Sequence, residues 1–259
     1  MKLLRWLLPV LSALALPIAG TAPDDPLWQK AVEVARAAES SGPVPGTVSV
    51  ATRVLKRDGS LDHSGMVVFR TVERTDGDLE LEVVRAEQDG KDVTAKAREE
   101  EARGRRRTEE RRKEGTGDDE TLEVSLDYHP FSPKFQERVT AERRGEVLLD
   151  GRPAVLFAFR HASSLGKRAV AGRAWLDPAT GAPLRVDASP DPLPRFVDTM
   201  TTTVFFRLSP EGQWLPERSE VGGAGGLLLV RRRVESRVDF LDFRPRRRAG
   251  PTPPEGAAP

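Results

Sequence analysis

The feature that most constrains this chain is an apolar–polar alternation with a period of two, sustained from residue 46 almost to the C-terminus. GTVSVATRVLKRDG places Val48, Val50, Thr52 and Val54 on one side. DLELEVVRAEQDG sets Leu79, Leu81 and Val83 against Glu80 and Glu82. A period of two is the signature of strands with one buried and one wet face, and Asp-Gly turns between them favour hairpins. The pattern continues through KFQERVTAERRGEVLLDGRPAVLFAFRH and ends with GLLLVRRRVESRVDFLDFRP. It predicts roughly nine to eleven strands. No alternation of strand with helix points to a parallel sheet, so the fold is expected to be mainly β with short helices. An antiparallel sheet of this size is expected to curl or close, with its apolar face covered.

Other segments punctuate the strands. In DDPLWQKAVEVARAAESSG, Asp25 can cap a helix and Pro26 suits its first position. Leu27, Ala31, Val34, Ala35 and Ala38 recur at helical spacing with Trp28 beside them, predicting an amphipathic helix over 26–39. Between Arg98 and Asp118 stand eight basic and seven acidic residues, with Ala102 as the sole apolar side chain. This insertion, at about 95–118, reads as a solvated Glu/Arg helix or a partly disordered segment. The domain is expected to span 23–245, followed by a disordered Pro/Gly/Ala-rich tail over 246–259.

The N-terminus reads MKLLRWLLPVLSALALPIAGTAPDD. Two basic residues, an apolar run of about thirteen residues and small residues before a polar stretch match a secretory signal peptide rather than a membrane span. Cleavage is expected near Ala22, delivering the chain to the periplasm with no transmembrane segment. The sequence has no cysteine, so neither disulfides nor a lipidated cysteine can hold it. The 41 Lys and Arg exceed the 40 Asp and Glu by one, and losing Lys2 and Arg5 with the leader turns the balance to −1. That balance, together with export, argues against a nucleic-acid partner.

Catalytic signals are sparse. His63, His129 and His161 stand far apart in dissimilar contexts, and no metal-ligand spacing involves them. Ser125, Ser163, Ser164 and Ser209 lack a nucleophile-elbow context. GGAGG at 222–226 is followed by a strand rather than a helix, so it suits a bend or hairpin better than a phosphate loop. No catalytic residue, metal ligand or cofactor site is assigned.

GRAWLDPATGAPLRVDAS, residues 172–189, reads as a hairpin. Val170, Gly172, Ala174 and Leu176 alternate with Ala171, Arg173 and Trp175, and Asp177-Pro178-Ala179-Thr180-Gly181 carries the chemistry of a tight turn. Trp175, Asp177, Gly181, Pro183 and Leu184, with Trp214, Leu215, Pro216 and Asp242 near the end, resemble the periplasmic outer-membrane lipoprotein-sorting, LolA-like family. The resemblance implies a strongly curved antiparallel sheet forming an incomplete open barrel, whose concave apolar face holds lipid acyl chains.

The resulting expectation is a non-catalytic periplasmic binding protein for lipoprotein or lipid acyl chains, acting in transport or sorting to the outer membrane. Candidate lining residues are Met66, Val68, Leu81, Val83, Leu156, Ala158, Val204, Phe206, Leu228 and Val230. Trp175, Asp177, Gly181 and Pro183 are expected to shape the hairpin. An alternative is a structural or protein-interaction module of envelope assembly or stress signalling, with a filled core and an envelope protein as partner. A hydrolase is the third reading. It requires a cleft with a histidine within about 3 Å of an acidic or serine partner.

Overall fold

The computed structural model describes residues 24–74, 79–114, 130–162, 169–227 and 230–246. The expected leader and nearly all of the expected tail lie outside these residues. Helix α1 (Pro26–Ser41) begins as its sequence demands: Asp25 Oδ1 accepts from the backbone N–H of Leu27 at 2.8 Å, and Pro26 occupies the first turn. The strands follow in chain order: β1 (Val44–Lys56), β2 (Leu61–Glu73), β3 (Leu79–Gln88) and the short β4 (Lys91–Asp92). Helix α2 (Thr94–Glu114) comes next, then a 3-10 turn at Pro133–Arg138. The remaining strands are β5 (Val139–Leu149), β6 (Arg152–Ala162), β7 (Ala169–Leu176), β8 (Pro183–Asp191), β9 (Val197–Leu208), β10 (Trp214–Leu227) and β11 (Val230–Arg244).

All eleven strands belong to one sheet, in the order β4-β3-β2-β1-β11-β10-β9-β8-β7-β6-β5. Each pairing is antiparallel. The one long-range join, β1 with β11, is in register from Val44↔Arg244 to Lys56↔Arg232. It brings the first and last strands to the middle and leaves β4 and β5 at opposite ends.

This arrangement corrects the expected barrel. The sheet is open: it neither closes nor curls strongly onto itself, and β3/β4 and β5 remain its two edges. Closure requires the edge strands to offer their outward backbone groups to one another. Here α2 occupies those groups along β3. Arg98 donates to the carbonyls of Val83 and Val84, each at 2.9 Å, and Glu101 Oε2 accepts from the Val83 N–H at 3.2 Å. Thr94 Oγ1 accepts from the Ala86 N–H at 2.9 Å, and Arg105 pairs with both Glu80 and Glu101. The charged insertion is thus helical as far as Glu114, as its composition allows, and this helix serves as a polar cover for a sheet edge. Replacing both Arg98 and Glu101 by alanine should speed hydrogen exchange at the Val83 amide by about tenfold or more, leaving β1 and β11 protected.

The core lies where α1 crosses the β5–β10 half. Trp28, Ala31, Val32 and Ala35 pack there with Phe131, Val139, Val155, Phe157, Phe159, Ala174, Leu176 and Val186. Trp28 is fully buried, with ring centroids 4.8 Å from Phe131 and 5.4 Å from Phe157. Its indole N–H donates to Gln136 Oε1 at 3.1 Å, so the polar edge of the ring is also satisfied.

Candidate binding surface

The hairpin at 172–189 is a seat for α1. Asp177 Oδ1 accepts from the N–H groups of Ala179 and Thr180 at 3.0 and 2.9 Å, and Oδ2 accepts from Arg152 at 2.7 Å. Burial works against ionisation of the Asp177 carboxyl, but these hydrogen bonds outweigh it and hold the group below the usual carboxylate range. Gly181 has φ +73, and a Cβ there would lie 2.6 Å from Lys30 Cβ and 3.3 Å from the Leu27 carbonyl oxygen of α1. The carbonyl of the buried Pro183 accepts from the Trp214 indole N–H at 2.9 Å.

The described residues offer little for catalysis. His63 is exposed, with Nδ1 3.4 Å from Asp89 Oδ2 and Nε2 4.0 Å from Asp62 Oδ2. His161 is buried, and desolvation together with nearby Arg138 lowers its pKa, favouring the neutral ring. Ser209 Oγ accepts from the N–H groups of Glu211 and Gln213, both at 3.2 Å, and so shapes the β9–β10 turn. His129, Ser125, Ser163 and Ser164 lie outside the described residues. Among the described residues no group of three or more His, Cys, Asp or Glu is placed to hold a metal ion. Two shallow depressions, about 440 and 580 Å³, are lined by Lys56, Arg57, Asp58, Arg231 and Arg232 and by the 92–98 segment. The residues lining the first are all charged, and Val93 and Ala95 are the apolar residues lining the second.

What the sheet does present is a row that is apolar except at Ser219. Residues paired directly across antiparallel strands share a face. One row on the α1 side therefore runs Phe157, Ala174, Val186, Val204, Ser219, Val238, Val50, Val67 and Ala86, from β6 to β3. Under α1 its members are buried; at Val238, Val50 and Val67 they are only half-buried. On the same face Val234 is 40% exposed and Leu81 is 37% exposed. From β10 to β2 the incompletely covered part of the row spans three strand intervals, about 14 Å, and it ends at the buried Ala86 of β3.

The opposite face mixes apolar and charged side chains and is cross-braced. Its corresponding row contains Trp175, Arg185, Phe205, Arg218 and Asp239. The Arg185 guanidinium lies 5.1 Å from the Trp175 ring centre and 5.4 Å from that of Phe205, while Arg218 lies 4.0 Å from Phe205. Arg185 also grips Asp187 through two bonds of 2.7 and 2.8 Å. Trp175 thus braces the solvent side of the sheet through a cation–π stack.

The ten candidate lining residues divide between the faces. Leu81, Val83, Val204 and Phe206 lie on the α1 side, whereas Met66, Val68, Leu156 and Ala158 lie on the other. Leu228 lies outside the described residues, and the Val230 backbone pairs with Leu227. The structure adds Val50, Val67, Val234 and Val238 to the α1 side. Alternation within β1 is the sequence signal that could have found Val50.

No helix among the described residues is long and apolar enough to cross a membrane. No protein-family model matches the chain, and no curated protein matches it in sequence. Among solved structures, it is similar to a Vibrio parahaemolyticus domain described as an outer-membrane lipoprotein-sorting protein, at 10% identity and a TM-score of 0.38, covering 84% of this chain and 93% of that one. A DUF1329 family protein from Desulfovibrio piger aligns at 10% identity and a TM-score of 0.40, over 87% of this chain and 94% of that one. The Pseudomonas aeruginosa MucA/MucB complex gives 13% identity and a TM-score of 0.22, over 86% of this chain and 98% of that one.

Proposed function

We propose that this protein is a non-catalytic, exported envelope protein that holds lipid or lipoprotein acyl chains against the incompletely covered half of its α1-side sheet face. The observation that supports this reading is the half-buried aliphatic row through Val238, Val50 and Val67, flanked by the exposed Val234 and Leu81. Its lining is mainly aliphatic, interrupted by Ser219 and by the hydroxyl pair of Thr52 and Ser236, 3.1 Å apart. Such a surface gains free energy from an aliphatic chain at about 0.8 kcal/mol per buried CH₂, without directional contacts. The β5–β10 half is filled by Trp28 and its aromatic neighbours, so the ligand is assigned to the β10–β3 half.

A titration of the purified protein with a fluorescent fatty acid, or with a triacylated peptide, tests the reading. Saturable binding is expected. Replacing both Val234 and Leu81 by glutamate should weaken it about tenfold or more, because each charge would be desolvated by the bound chain. Leu241 is also exposed, at 46%, but its register places it on the opposite face. Leu241→Glu should leave binding unchanged. Absence of saturable binding, or an equal loss in Leu241→Glu, would refute the assignment.

A further inference from the structure

One end of the sheet gathers the β8–β9 loop, the β10–β11 hairpin and the β1–β2 turn. The Gly226 N–H donates to the Phe196 carbonyl at 2.9 Å, which lays the loop against the hairpin. A Cβ on Gly225 would lie 2.3 Å from that same carbonyl oxygen, so the glycine run is what permits the approach. Arg231 bridges back to Asp198 at 3.2 Å, the Lys56 backbone stands opposite that of Arg232 across β1 and β11, and the Arg232 side chain pairs with Asp62 at 2.7 Å.

At the loop tip Phe196 is 51% exposed and Leu193 36% exposed. Phe196 also has φ +69, a left-handed conformation that costs a bulky residue free energy, while about half of the residue stays exposed. The Arg195 guanidinium stands 4.6 Å from its ring centre. Segments 56–62, 192–198 and 225–233 together carry six Lys or Arg and three Asp, and no Glu. Lys56, Arg57, Arg231 and Arg232 surround the depression of about 440 Å³ beside this tip, with Asp58 as its one acidic lining residue.

We propose that this end docks on an anionic phospholipid surface, with Phe196 and Leu193 entering the acyl boundary and the surrounding cations meeting headgroup phosphates. Apolar tips backed by cations are what a reversible interfacial anchor requires, and neither element suffices alone. The assignment goes beyond acyl binding on the sheet face and does not rest on it, since the residues are different.

Co-sedimentation with phosphatidylcholine vesicles, with and without phosphatidylglycerol, tests it. Binding to the anionic vesicles that weakens with salt is expected. Leu193→Ser with Phe196→Gly should lower partitioning about tenfold, and so should Lys56→Glu with Arg57→Glu. Phe196→Gly alone should melt no lower than wild type, because glycine relieves the left-handed backbone; this separates lost docking from lost folding. Comparing variants with wild type in the same form cancels any contribution of the N-terminal apolar run. The Val234→Glu, Leu81→Glu protein should still bind vesicles. No binding at low salt, equal binding to neutral vesicles, or undiminished binding in either loop variant would overturn the proposal. Loss of vesicle binding in the sheet-face variant would overturn it too.

Discussion

Trp28→Ala is expected to destabilise the protein by about 3–5 kcal/mol, lowering the thermal midpoint by on the order of 10 °C. Trp28 is fully buried and touches the rings of Phe131 and Phe157, with that of Phe159 centred 6.4 Å away. Its removal takes away transfer free energy and leaves a cavity between α1, the 3-10 turn and β6. It also deprives Gln136 Oε1 of the indole donor, although Gln136 Nε2 keeps its bonds to the carbonyls of Pro130 and Ser132 at 2.8 and 3.0 Å. Trp28→Phe should recover much of the loss, because the lost polar bond is worth only about 1 kcal/mol. Urea unfolding followed by circular dichroism measures both variants. A shift below about 1 kcal/mol for Trp28→Ala would mean that α1 is not the element sealing this half of the sheet.

How much of this was legible beforehand depends on how decisively each segment chooses a face. The helix cap at Asp25 and Pro26, and the strand-turn rhythm, were readable because each rests on local chemistry. The helical spacing puts the α1 stripe on Leu27, Ala31, Val34, Ala35 and Ala38. The buried set is Leu27, Trp28, Ala31, Val32 and Ala35. Apolar residues flank the 27–31–35 row on both sides, so the pattern alone leaves the helix free to rotate about its axis. Contact with the aromatic residues of β6 settles that rotation.

The same ambiguity divided the candidate lining residues. β2 carries Met66, Val67, Val68 and Phe69 in succession, and β6 carries Val155 through Phe159. A run apolar at every position does not say which alternate set faces the helix. In β3 glutamates intervene, and there Leu81 and Val83 fell on the α1 side. The openness of the sheet was not legible either. Strand number suggested closure, but the outcome turned on Thr94, Arg98 and Glu101 binding the β3 edge. Those residues sit in a segment whose composition announces only solvation.

Gly172→Ala is the second large effect, expected at about 3 kcal/mol, and it tests how the hairpin and helix cooperate. A Cβ at this position would lie 2.0 Å from the Asp187 carbonyl oxygen and 2.7 Å from Cζ of Phe159. The first obstacle is the backbone of β8, and the second is a ring packed in the core beneath α1. They respond differently to a compensating change. If the ring were the sole obstacle, Phe159→Ala would make room for the methyl group, and the double variant would be no less stable than Phe159→Ala alone. Because the Asp187 carbonyl cannot be trimmed away, most of the cost of Gly172→Ala should persist in the Phe159→Ala background. A double-mutant cycle on urea midpoints reads this directly, since residues in contact are where non-additivity is expected. A persistent cost identifies the β7–β8 backbone approach as the reason for glycine here. Full rescue would shift that reason to the seat of Phe159.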